Sequence, residues 1–173
     1  MTDKEKNIYL IGFMGVGKTT IGKQLAEKLN KIFIDLDEYI ESKEQRSIKE
    51  IFSNNGEVFF RQLESDGLQK LKNESAIIAT GGGIVENEQN VNVMKQTGVV
   101  IFLNAPFHVL LDRIKHDQSR PLTKGGENGL YKRYYDRLPH YHLAHVHFDT
   151  SEQTPDQVCH QIIHHLMYRE AEK

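Results

Sequence analysis

Residues 12–19 read Gly-Phe-Met-Gly-Val-Gly-Lys-Thr, a full match to the spacing G-x-x-x-x-G-K-[ST]. Each position has a chemical use. Gly15 and Gly17 let the backbone turn tightly, so that successive N–H groups converge on phosphate oxygens. A helix starting near Lys18 adds its positive N-terminal end. Lys18 would reach the β and γ oxygens of a nucleotide, and the Thr19 hydroxyl would ligate Mg²⁺. The bland alternative is a glycine turn that binds nothing. The apolar run before the loop and the helical pattern after it are the context a phosphate loop requires.

Such a loop does not choose among a GTPase switch, an ATPase motor and a small-molecule kinase. The guanine-reading string N-K-x-D and a D-x-x-G are both absent. A kinase for small molecules needs a second site, and three further groups could build one. "FIDLDEYI" (33–40) carries Asp35 and Asp37, two apart at the end of a predicted strand. Ligands of open α/β sheets bind at that edge. The third strand, "IIAT", ends without an acid, so Asp35 is the best candidate for the metal side, acting through water. Asp37 would face the acceptor and take or orient its hydroxyl proton. Alternatively, one of the two acids caps the next helix, a role open to Asp37 at the head of "DEYIESKE". Arg61 and Glu64 stand at i and i+3 on one helix face, where a surface ion pair is the plain reading. The three glycines of "TGGG" (80–83) would allow a ligand close to the backbone.

These groups need a frame. Short β-rich runs occur at 8–11, 32–35, 76–80 and 99–103, with a weaker one at 145–150. Helical patterns lie between them, at 18–29, 57–71 and 106–117, and from Pro155 to the end. Strands alternating with helices predict a parallel sheet covered on both faces. The chain has 173 residues, enough for one domain, and no linker divides it. The polar, glycine-rich stretch 116–129 is long for a loop in a compact domain and reads as a mobile lid. A net charge of −2 gives no reason to expect nucleic-acid or membrane partners. The single cysteine, Cys159, fits a reducing compartment. With a charged N-terminus and no long apolar segment, the expected location is cytoplasmic. No coiled-coil seam points to an oligomer, and a monomer is expected.

The chain resembles the shikimate kinases. "GFMGVGKTTIG", "FIDLDEYIE", "IFSNNGEVFFRQLE", "IIATGGGIV" and "SRPL" stand in that family's order and roughly its spacing. The resemblance implies a nucleoside-monophosphate-kinase-like α/β/α fold with a five-stranded parallel sheet in the order 2-3-1-4-5. It implies transfer of the ATP γ-phosphate to the 3-hydroxyl of shikimate, with Mg²⁺, in aromatic amino-acid biosynthesis. It puts ATP phosphates on Gly15, Val16, Gly17, Lys18, Thr19 and Thr20, and Mg²⁺ near Thr19 and Asp35. Shikimate would be held by Asp37, Arg61, Gly82, Gly83 and Arg137, with Glu64 supporting Arg61. Arg120 of "SRPL" would move in with the lid towards the phosphates. Arg113 and Gln153 fall where the family holds adenine. Around the late arginine the chain departs from the family pattern R-x-P-L-Y-x-E-x-A, reading "RLPHYHLAH". Arg137, Pro139 and Tyr141 fit and the glutamate is absent, with Arg133 as the substitute for Arg137.

Two competing functions remain at this stage. One is a related kinase for another polyol, such as gluconate. The other is a nucleotide-binding module without catalysis, against which the full set of lysine, threonine, aspartates and Arg61 argues. His140, His142, His145 and His147 resemble a metal cluster, but along a strand only His145 and His147 would share a face. Cys159 reads as a small apolar helix residue. Phe13 and Met14 read as packing, with Phe13 a candidate wall of the acceptor pocket.

Overall fold

The computed structural model describes residues 6–116 and 125–171. Five strands form one parallel sheet: β1 (Asn7–Ile11), β2 (Phe33–Asp35), β3 (Ile77–Ala79), β4 (Gly98–Asn104) and β5 (Val146–Asp149). Their order is β2-β3-β1-β4-β5, as the resemblance implies. β1 lies at the centre, pairing Leu10 with Ala79 on one side and with Ile101 on the other. All five residues of β1 are buried, although successive side chains point to opposite faces. Both faces are therefore covered, giving the three-layer α/β/α sandwich. The edge strand β5 alternates between half-buried and exposed instead.

Seven helices lie among the described residues: α1 (Lys18–Leu29), α2 (Leu36–Glu44), α3 (Ile48–Leu71), α4 (Glu88–Thr97), α5 (Phe107–His116), α6 (Gly126–Tyr141) and α7 (Pro155–Ala171). α1 packs between β3 and α7, and α4 packs against β4 and α3. α3 is two helical pieces. Gly56, at φ 81° and ψ 175°, breaks it just before the segment expected as helical. The earlier piece starts at a capping box, in which Ser47 Oγ accepts from Glu50 N and the Glu50 carboxylate accepts from Ser47 N.

The structure corrects the reading of the polar stretch 116–129. His116 closes α5 and Gly126 opens α6, so residues 126–129 are the first turn of a helix and not loop. Residues 117–124, including Arg120, lie outside the described residues.

The strand order also locates the crevice. From β1 the chain moves to one side of the sheet and fills β2 and β3, then crosses over to β4. The switch lies at β1, so the loops leaving β1 and β3 open a cleft at their carboxyl ends. These are the glycine loop 12–17 and the glycines 81–83.

Candidate active site

The glycine loop needs its glycines. Gly12, Gly15 and Gly17 sit at φ 145°, 79° and 98°, in the region that favours glycine. A Cβ at Gly12 would come within 2.4 Å of Leu103 O, because β4 runs directly behind the loop. Gly17 is the N-cap of α1, and no side chain caps that helix end. The first turn of α1 also holds no acid, which leaves its positive end to a ligand anion. Lys18 Nζ folds back over the loop and donates to Gly12 O (2.7 Å) and Phe13 O (3.2 Å). The N–H of Val16 is turned inward to Phe13 O (3.3 Å).

The two aspartates divide their tasks. Asp35, not Asp37, is the helix cap: its Oδ1 accepts from Asp37 N at 3.1 Å and from Glu38 N at 3.5 Å. Its other oxygen accepts the Thr19 hydroxyl at 3.0 Å. The pair expected on the metal side is thus in contact, and it offers oxygen donors only, the set Mg²⁺ prefers. Asp37 is set free of the capping role and turns into the cleft. Its Oδ1 approaches Gly81, as does Glu64 Oε1: a Cβ on that glycine would meet them at 3.0 and 2.5 Å.

Met14, Lys18, Thr19, Thr20, Asp35, Asp37, Gly82, Arg113 and Arg137 line one cleft of about 340 Å³, with Gly15 and Gly17 in its wall. A second hollow of about 240 Å³ adjoins it, bounded by Gly15, Val16, Thr20, Arg113, Thr150 and Gln153. Arg113 donates to Thr150 O (2.6 Å), and the Thr150 hydroxyl is within reach of Asn104 O (3.1 Å) and Val16 O (3.4 Å). Thr150 thereby ties the β5–α7 loop to the phosphate loop. The sequence reading had passed it over, since a threonine at a strand end carries no signal. Gln153 Nε2 donates to Asp149 O, while its Oε1 is buried with no protein partner among the described residues.

Behind the cleft stands a group of charges. Arg61 Nη1 donates to Glu64 at 2.6 Å and Nη2 to Glu57 at 2.8 Å. Far from a surface ion pair, Glu64 is fully buried. Burial pushes its carboxyl up to about 7, against the opposing pull of Arg61. Burial pulls the Arg61 guanidinium down, but Glu64, Glu57 and Glu86 together outweigh this and hold it above its usual range. Arg61 and Gly83 do not line the cleft itself. Gly83 instead makes room for the guanidinium, since a Cβ there would meet Arg61 Nη1 at 2.4 Å.

Arg137 is buried and does line the cleft, whereas Arg133 bonds the backbone at Gly129 O. Arg137 Nε donates to Glu86 Oε1 at 2.6 Å. The other Glu86 oxygen is 3.9 Å from Arg61 Nη2. Tyr141 donates to Gly82 O at 2.6 Å and stacks on Phe102, with ring centroids 5.1 Å apart. Glu86 was not found from sequence, because a glutamate after "GGGIV" reads as an ordinary helix-start acid.

Phe13, Met14 and Cys159 also find their places in the fold. Phe13 is buried edge-on to Tyr134 at 5.5 Å and serves packing, while Met14 reaches the cleft. Cys159 is buried with its thiol near Ile21 O, and burial pushes its pKa up. Among the described residues no three His, Cys, Asp or Glu side chains gather to hold a metal. No helix among them is long and apolar enough to cross a membrane.

Known proteins resemble this chain along most of its length. A family model described as shikimate kinase matches residues 14–167. A shikimate kinase of Sulfurihydrogenibium sp. is 43% identical over 159 residues, covering 91% of this chain and 96% of its own. The shikimate kinase of Acinetobacter baumannii, solved in complex with shikimate, superposes with a TM-score of 0.88 at 36% identity, covering 95% of this chain and 94% of its own. That of Aquifex aeolicus gives 0.83 at 38% identity, over 93% and 96%. Sheet order, phosphate loop and these matches across nearly the whole chain agree, and the chain belongs to the shikimate kinase family.

Proposed function

We propose that this protein transfers the γ-phosphate of ATP to the 3-hydroxyl of shikimate, giving shikimate 3-phosphate and ADP in aromatic amino-acid biosynthesis. The observation that carries the reading is a single cleft bringing Lys18, Thr19, Asp35, Asp37 and Arg137 together at the carboxyl ends of β1, β2 and β3. In this reading the phosphate groups of ATP lie on residues 15–20. Adenine occupies the adjoining hollow, where the buried Gln153 Oε1 suits an exocyclic amino donor. The Thr19–Asp35 pair holds Mg²⁺, whose charge would offset that building on the phosphate oxygens.

Shikimate is a small polyol with one carboxylate. The planar guanidinium of Arg137 suits that carboxylate, with Arg61 close behind it. Asp37 accepts the proton of the 3-hydroxyl, or a hydrogen bond from it, as the oxygen attacks phosphorus and ADP departs. Lys18 moves from the loop carbonyls to the transferring group and stabilises its charge. Arg120, which lies outside the described residues, is assigned to the phosphates on the "SRPL" motif alone. A monomer acting as a single kinase domain completes the reading.

ADP release in the presence of Mg·ATP tests the reading, with shikimate, gluconate, quinate and nucleoside monophosphates supplied in turn. Shikimate should be preferred by at least about tenfold in kcat/KM, a margin of roughly 1.4 kcal/mol in transition-state binding. A gluconate preference would move the chain to another polyol. ADP release indifferent to every acceptor would leave a module without this transfer.

A further inference from the structure

One carboxylate behind the cleft has no part in the scheme so far. Glu86 ends the short 3₁₀ turn Ile84–Glu86 that follows the three glycines. It is partly exposed, yet it reaches two arginines from two different helices. Oε1 accepts from Nε of Arg137 on α6 at 2.6 Å, and Oε2 lies 3.9 Å from Nη2 of Arg61 on α3. The contact to Arg137 is made at Nε, on the side of the guanidinium, which leaves other partners, the Tyr141 hydroxyl among them, to the Nη groups. The nearer of them, Nη1, lies beside Gly82, within 3.5 Å of where a Cβ would stand, and Gly82 forms part of the cleft wall.

A guanidinium as buried as that of Arg137 needs an acceptor, and it needs one that fixes its plane. We propose that Glu86 is a positioning residue for recognition of the substrate carboxylate. It grips Arg137 by Nε and aims the Nη fork into the cleft, while its second oxygen draws Arg61 towards the same point. Glu86 touches neither acceptor nor phosphate in this scheme and acts through the arginines alone. The inference rests on the proposed assignment of the shikimate carboxylate to Arg137.

Calorimetric titration of the full chain with shikimate tests it, alongside titration with an analogue whose carboxylate is reduced to a primary alcohol. Glu86→Ala should raise the shikimate Kd by about tenfold or more, with ATP affinity unchanged within about twofold. Glu86→Gln keeps an acceptor for Nε and should stay within about threefold of the wild type. Binding of the alcohol analogue should be equally weak in all three proteins, because the oriented fork has no carboxylate to meet. Arg137→Ala serves as the control for the underlying assignment: unchanged shikimate binding there would refute the carboxylate site itself. If Arg137→Ala is impaired, three results would each overturn the role of Glu86. These are a Glu86→Ala Kd within twofold of wild type, a tighter Kd, or an equal loss of ATP and shikimate binding. A Gln variant as weak as Ala would likewise contradict an orienting hydrogen bond.

Discussion

Among single residues, the two aspartates show how a small difference in position separates roles. Asp35 spends one oxygen on the α2 cap and the other on Thr19. Asp37, two residues on, has no capping duty and lines the cleft. Asp37→Asn should lower kcat by about 10²-fold with nucleotide affinity nearly unchanged, measured by steady-state rates and calorimetry. Near-normal kcat would remove its proton-handling role. Lys18→Ala should leave less than about a tenth of kcat in a folded protein, since Lys18 acts on charge that develops in the transition state. Glu64 carries a pH signature. A carboxyl whose pKa rises from 4.5 to about 7 on folding keeps its proton longer in the folded state. Stability from this group is therefore full below about 4.5 and is lost as the pH climbs to about 7. Urea melts across that range should show the wild type losing on the order of 3 kcal/mol relative to Glu64→Gln, with the difference level above pH 8. A flat difference throughout would mean that folding leaves the Glu64 pKa unshifted.

At the scale of elements, the same substitution at two glycines should have different consequences. Gly12→Ala places a Cβ 2.4 Å from a backbone oxygen at φ 145°, and neither side yields easily. It should cost about 1–3 kcal/mol in stability and weaken nucleotide binding as well. Gly83 has an ordinary φ of −93°, and its Cβ would meet only the movable end of Arg61. Gly83→Ala should raise the shikimate KM by about tenfold with little change in Tm, as thermal melts and initial rates would show. Matching effects of the two on Tm would refute this distinction. The phosphate loop and the sheet were legible in the sequence because their signals are local: glycines at fixed spacing and apolar runs buried on both faces. α6 was not. Its buried stripe is Leu130, Tyr134, Arg137 and Tyr141, at good helical intervals, but one member is an arginine and the segment holds two glycines and Pro139. The charge that hides the helix from a hydrophobic pattern belongs to the arginine that lines the cleft. α4 was hidden similarly, with buried Asn90 beside Val91 and Met94.

Across the whole molecule, the strand order turns separate motifs into one site. The loop after β1, the aspartates where β2 passes into α2 and the glycines after β3 meet at one sheet edge, and α6 returns to bring Arg137 beside them. Spacing along the chain could not show that Arg61 and Arg137, 76 positions apart, share Glu86. Such a meeting is tertiary and has no sequence period to reveal it. Phosphoryl transfer between two bound molecules at a defined oxygen is recorded in the product. After incubation with Mg·ATP and shikimate, phosphorus NMR of the mixture should show ADP and one new phosphomonoester in equal amounts, its phosphorus coupled to the proton on C3. Inorganic phosphate in place of that ester, or phosphorus coupled to a different ring proton, would contradict the account.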